Sequence, residues 1–257
     1  MKLKAFLLFF LLSSFSLLQA ADKPLIKIET ERTSLIYQVA EKYLGKKLNH
    51  DSDIQYLPQG TEAYLTHGME DYFEPAIHIR HNDNNSSLLL KYVDHSSNAI
   101  GNGVNETVIT LKDDKYPVTV KLHYVAYGKE NIIRAFSEIS HEEKKPVILC
   151  KYASSMLHLN SSKYFLTEFS GDWAHEANVT ERELAFGKKV IDTKLGARAN
   201  MFVSPFFQLA LDNPSQENAG EVLVGTIGWT GNFRFTFEVD NKNELRIISG
   251  INPYDSE

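Results

Sequence analysis

With 257 residues, 33 Asp and Glu against 27 Lys and Arg and a formal charge of −6, the chain is long enough to bury a large core. Its acidity excludes a phosphate-reading surface, which needs concentrated basic side chains, so no nucleic-acid partner is expected. A single cysteine, Cys150, excludes an intramolecular disulfide, and in the apolar run VILCKY it reads as a buried, inert thiol.

In chain order, Lys2 and Lys4 precede an apolar run from Ala5 to Leu12, a serine-broken stretch to Leu18 and the small residues Ala20 and Ala21. This pattern is a secretory signal peptide over residues 1–20, cleaved after Ala20 with Ala21 the next candidate. The mature chain, 21–257, is then expected to be exported to the periplasm or the cell exterior and free of the membrane after cleavage. Strand periodicity follows almost throughout. Apolar runs at Leu25 to Ile28, Leu35 to Val39, Ile77 to Arg80 and Leu88 to Val93 come first. Asp94 to Asn105, with Gly101 and Gly103, reads as a loose loop. Glu106 to Leu111 and Pro117 to Tyr127 follow, the latter alternating Val118, Val120, Leu122 and Tyr124 against Thr119, Lys121 and His123. Further runs lie at Ile132 to Ile139, Val147 to Leu157, Tyr164 to Phe169, Phe206 to Leu211 and Val222 to Trp229, with Trp229 read as core. Phe233, Phe235 and Phe237 alternate with Arg234, Thr236 and Glu238 before a turn at Asp240 to Asn243 and a last run from Leu245 to Ile248. More than ten strands, short polar turns and no convincing amphipathic helix predict an all-β fold, a large antiparallel sandwich occupying one domain over 21–257.

Catalytic signal is sparse. His67, His78, His81 and His95 resemble a metal cluster in composition only, since none forms a helical i, i+4 pair beside a carboxylate; no metal and no cofactor is expected. Glu70, Asp71 and Glu74 read as a solvated acidic loop. Asp172 and Glu176 flank Trp173 and His175, and carboxylates beside an exposed aromatic suit a sugar: the ring stacks on C–H faces while the acids accept hydroxyl protons. A tryptophan packed in a strand-end loop fits the same residues. Sequons at Asn84, Asn85, Asn105, Asn160 and Asn178 mark polar surface loops.

Several segments, taken together and in order, resemble glycoside hydrolase family 36. They are GDWAHEANVTE from Gly171, KLGARANMFVSPFF from Lys194, AGEVLVGTIGWTGNF from Ala219 and RIISGINP from Arg246. YLGKKL at Tyr43 to Leu48 and YLTHGMEDYFEPAIHI at Tyr64 to Ile79 are weaker matches. The chain resembles the N-terminal domain of this family's melibiase-like α-galactosidases, retaining glycosidases that cleave terminal α-galactosides in carbohydrate catabolism. The resemblance implies a supersandwich that supports a separate (β/α)₈ barrel bearing two catalytic aspartates. Such a barrel takes ~200 residues or more, so the chain is expected to stop before it and no catalytic residue is assigned. The implied partners are α-galactoside sugars, bound through the complete enzyme, the barrel domain and further copies of the subunit as a homo-oligomer. Trp173, with Asp172 beside it, is the expected sugar contact. Asp53 is a further loop contact, on a segment between Leu48 and Gly60 that is shorter here than the loop many relatives extend toward a neighbouring active site. Two other readings stay open: a free-standing carbohydrate-binding module, and a small mutarotase-like enzyme using His175 and Glu176 as acid and base. Against the second, adjacent strand residues point to opposite faces.

Overall fold

A computed structural model of the chain describes residues 24–40, 43–46, 61–68 and 73–252. Residues 1–20, Asp53, Glu70 and Asp71 lie outside the described residues. The strands are β1 (Leu25–Glu29), β2 (Ser34–Ala40), β3 (Tyr43–Lys46), β4 (Ile77–Arg80), β5 (Leu90–Gly101), β6 (Val104–Asp113), β7 (Val118–Tyr127), β8 (Ile132–His141) and β9 (Ile148–Tyr152). They continue with β10 (Ser155–Asn160), β11 (Tyr164–Asp172), β12 (His175–Glu183), β13 (Gly187–Asp192), β14 (Val203–Gln216), β15 (Ala219–Thr226), β16 (Phe233–Val239) and β17 (Glu244–Ile251). The only helical turn among the described residues is a 3₁₀ turn at Gly196–Arg198. Every pairing between these strands is antiparallel.

The organising element is the four-stranded sheet β10-β17-β16-β13, which has a hydrophobic core on each face. Toward one core β16 points Phe233, Phe235 and Phe237 and β17 points Leu245 and Ile247; the sheet β12-β11-β14-β15 answers with Tyr164, Leu166, Phe207 and Leu209. Phe207 meets Phe235 and Phe237 edge-on, with centroids 5.2 and 4.9 Å apart, a favoured aromatic geometry. Toward the other core the central sheet offers Met156 and Ile248, covered by the alternate residues Val118, Val120, Leu122 and Tyr124 of β7 and by Ile26, Ile28, Ile77 and Ile79. The hydroxyls of Tyr37 and Tyr124 satisfy each other there at 2.8 Å, as buried polar groups must. The antiparallel sandwich expected from periodicity, and the supersandwich the resemblance implies, is the observed fold.

Several local expectations change. Asp94 to Asn105 is no loose loop: β5 and β6 run through it as a long hairpin, closed by Asn102 and Gly103 at φ 51° and 76°. Positive φ at both central residues matches the right-handed twist of the flanking strands, which is why Asn-Gly suits such a turn. The run Val147 to Leu157 splits into β9 and β10, which belong to different sheets. Cys150 is half-exposed on β9 rather than buried.

The polar face of β16 is covered too. Thr236 and Glu238 are buried because the sheet is covered on both sides, and the register sets Glu238 opposite Arg246. Arg246, 1% exposed, lies with its guanidinium 3.2 Å from Asp240 and 3.6 Å from Glu238, and 3.6 Å above the Phe73 ring. Glu74, expected on a solvated loop, is the other half of this network. Its N–H donates to Glu238 at 2.9 Å, and its carboxylate bridges Lys151 and Lys188. Burial opposes ionisation of Glu74, but the two ammonium groups outweigh it and hold the carboxyl below its usual range. The network fastens the segment before β4 to the central sheet.

Candidate functional site

Asp172 pairs with His175 at the end of the β11–β12 hairpin, so Trp173 and Ala174 form a two-residue tip. Ala174 takes φ 62°, and the Trp173 N–H donates to Asp172 Oδ1 at 2.7 Å. On the β12 side Asn178 Nδ2 donates to the His175 carbonyl at 2.8 Å. The tip therefore has its own hydrogen bonds, and the indole has no packing partner: Trp173 is 86% exposed. This removes the packed-tryptophan reading. Asp172 is exposed beside it, and its second oxygen is open to a hydroxyl donor.

The hairpin joins a broader apolar edge. The Gly171 N–H donates to the Phe202 carbonyl at 2.9 Å, placing Met201 and Phe202 next to the tip. The 3₁₀ turn behind them is held through the Gly196 N–H, which donates to Asn232 Oδ1 at 2.7 Å. Trp229 stands in the loop between β15 and β16, 48% exposed rather than in the core, with its ring laid over Gly231. A Cβ added at Gly231 would sit 2.7 Å from the indole nitrogen, so the close approach needs glycine.

The histidines are dispersed. His67 and His78 stack with centroids 3.8 Å apart, and burial together with His67, Arg80 and Lys151 pushes His78 below its ordinary value. His81 is buried against Glu143 and Tyr116, and His95 bonds the Tyr92 hydroxyl at 2.7 Å. Among the described residues no three His, Cys, Asp or Glu side chains converge as a metal site. His175 and Glu176 are both exposed on β12, and as neighbours in one strand they point to opposite faces. What the edge can do chemically is present an indole face and a carboxylate together, the pairing that accommodates a sugar ring and its hydroxyls.

A central sheet with a core on each face makes the chain a β-supersandwich domain. Residues 31–257 match the glycosyl hydrolase family 36 N-terminal domain, and the chain belongs to that family. It is 24% identical to alpha-galactosidase 2 of Pediococcus pentosaceus over 89% of its own length and 37% of that protein. To alpha-galactosidase AgaA of Geobacillus stearothermophilus it is 29% identical over 66% of this chain and 22% of that one. In structure it is similar to AgaA with a TM-score of 0.78, 22% identity and coverage of 90% of this chain and 38% of AgaA. A variant of AgaA in complex with raffinose gives the same TM-score. The chain thus spans less than two fifths of the length of the relatives it matches.

Proposed function

We propose that this chain is the non-catalytic N-terminal domain of an exported α-galactosidase, supporting the catalytic barrel and lining the entrance of its pocket. In this reading Trp173 stacks on a galactoside ring, Asp172 accepts a sugar hydroxyl proton, and Asp53 contributes a loop contact. The single observation that carries the reading is Trp173 itself, held 86% exposed on a hydrogen-bonded tip beside a free carboxylate oxygen, in a chain of this family. The charged groups of the interior are spent on architecture: Glu74, Glu143, Glu238 and Asp240 each bind basic or amide partners that hold strands together.

The test is a chimera in which residues 24–252 replace the matching domain of G. stearothermophilus AgaA. Trp173→Ala in that enzyme is expected to raise KM for raffinose five- to thirtyfold, about 1 to 2 kcal/mol of lost contact, with the fold intact. An unchanged KM contradicts the sugar contact. Raffinose binding by the chain alone, lost on Trp173→Ala, would instead support a free-standing carbohydrate-binding module.

A further inference from the structure

Asn102 is the only asparagine in the chain that glycine follows, and the pair forms the tip of the β5–β6 hairpin. Every residue from Val93 to Gly103 is exposed. Gly101 pairs with Val104 and closes the turn, which leaves the Gly103 N–H outside the strand ladder. Nothing lies within 4 Å of the place a Cβ would take at Gly103, so the turn is open on that side. Among the described residues the Asn102 carboxamide has no hydrogen-bond partner.

A backbone nitrogen can attack the side-chain carbonyl of an asparagine just before it and close a succinimide ring. A Cβ on the attacking residue crowds that approach; glycine has none and turns freely through the dihedral angles the ring needs. Here the Gly103 nitrogen forms a bond to Asn102 Cγ and its proton passes to a solvent base. The Cγ–Nδ2 bond breaks, and Nδ2 leaves as ammonia. Water then opens the ring at either carbonyl, giving aspartate on one side and, on the other, isoaspartate, whose main chain runs through the side-chain methylene. The folded turn holds Asn102 at φ 51°, so attack requires the tip to open. The outer hairpin offers little resistance, since its large apolar side chains Val93 and Ile100 are themselves 53 and 56% exposed and bury no core.

We propose that Asn102 is a site of spontaneous deamidation, at which the folded chain acquires an isoaspartyl linkage, and that this linkage loosens the hairpin tip from the turns beside it. The Gly103 carbonyl accepts from the Gly128 N–H at 3.1 Å, in the turn between β7 and β8, and the Gly128 carbonyl accepts from the Glu31 N–H at 3.1 Å, between β1 and β2. An added main-chain carbon at position 102 alters the turn that fixes the β5–β6 register and draws the Gly103 carbonyl away from Gly128. Asn84, Asn131 and Asn243 also stand at positive φ, but Asn85, Ile132 and Glu244 follow them, and the side chains of those residues hinder the attack.

The test ages the purified full chain in neutral and in mildly alkaline buffer and maps its peptides by mass spectrometry, with an isoaspartyl methyltransferase to count isoaspartate. Asn102 is expected to convert ahead of every other asparagine, faster at the higher pH and with isoaspartate the larger product, and Gly103→Ala to slow the conversion roughly tenfold. Circular dichroism checks that variant; if it disturbs the fold, Gly103→Asn takes its place, because asparagine tolerates the φ of 76° at this position. Conversion confined to the urea-unfolded chain, aspartate without isoaspartate, or a rate that the variant leaves unchanged overturns the assignment. Hydrogen exchange reads the consequence: the Gly128 and Glu31 amides should exchange severalfold faster in the aged chain, and at the native rate in freshly made Asn102→Asp, which carries the charge without the extra main-chain carbon. Equal exchange in aged and fresh chains overturns the loosening. Equal acceleration in Asn102→Asp assigns it to the charge and overturns it too.

Discussion

His81 and Glu143 form a buried pair: Nδ1 lies 2.6 Å from Glu143 Oε1, and neither side chain is more than 2% exposed. The other ring nitrogen donates to the Ser87 carbonyl at 3.0 Å, and the ring stacks on Tyr116 with centroids 3.6 Å apart. The Asn82 N–H also donates to Glu143. One of the four histidines that resemble a metal cluster only in composition is thus the peg that joins the turn after β4 to the segment after β8. Removing Glu143 leaves this polar centre without its acceptor. Glu143→Ala is expected to lower stability by on the order of 3 kcal/mol in urea unfolding; a loss under 1 kcal/mol contradicts it.

The same pair sets a pH dependence. Burial opposes ionisation of Glu143, but the bonds from His81 and Asn82 outweigh it and hold the carboxyl below its usual 4.5. Because the folded value lies below the unfolded one, the stabilisation is fully present above about pH 4.5 and fades as the pH falls through the folded value. The stability difference between wild type and Glu143→Gln should shrink as the pH falls below about 4.5, measured by urea unfolding from pH 5 downward. A difference that grows on acidification contradicts the assignment.

Arg246 carries the second buried network. Arg246→Ala should cost about 3 to 5 kcal/mol, because Glu238 and Asp240 are then left facing each other's charge in the interior. Arg246→Lys should recover little, since an ammonium cannot span both carboxylates and lie flat over Phe73. Thermal unfolding of the two variants decides it, and a lysine variant as stable as wild type would contradict the planar fit.

Gly225 sits opposite Phe207 in the β14–β15 register, and an added Cβ would lie 2.2 Å from the ring. The Phe207 ring is fixed between Phe235 and Phe237 and has nowhere to go. Gly225→Ala should destabilise by roughly 1 to 3 kcal/mol, and the cost should shrink in a Phe207→Leu background. Equal costs in both backgrounds, by urea unfolding, would contradict the packing.

What the sequence displayed was fixed by how one-sided each strand is. β7 and β16 alternate cleanly, so their inward residues were legible; β12, exposed along its whole length, has no apolar period and left no trace. The β5–β6 hairpin was hidden because its outer half is polar, although Asn102-Gly103 is itself a turn signal. Trp229 sits next to an apolar run and so read as core, whereas the strand ends at Thr226 and the ring lies out over Gly231. Glu74 read as a surface charge and nothing local marked Arg246, because pairing across a sheet covered on both faces depends on register, which sets Glu238 opposite Arg246. The polar and small neighbours of Trp173 marked it as a residue that need not be packed, and it stands exposed at the β11–β12 tip with Asp172 beside it.

The proposed export predicts a processed N-terminus. Edman sequencing of the secreted chain should begin at Ala21 or Asp22; recovery of Met1 from the membrane fraction would contradict cleavage.

The most direct test of a domain that supports catalysis without performing it is turnover of an aryl α-galactoside by the rigorously purified chain alone. No hydrolysis above buffer is expected. Turnover that Asp172→Asn abolishes would contradict it.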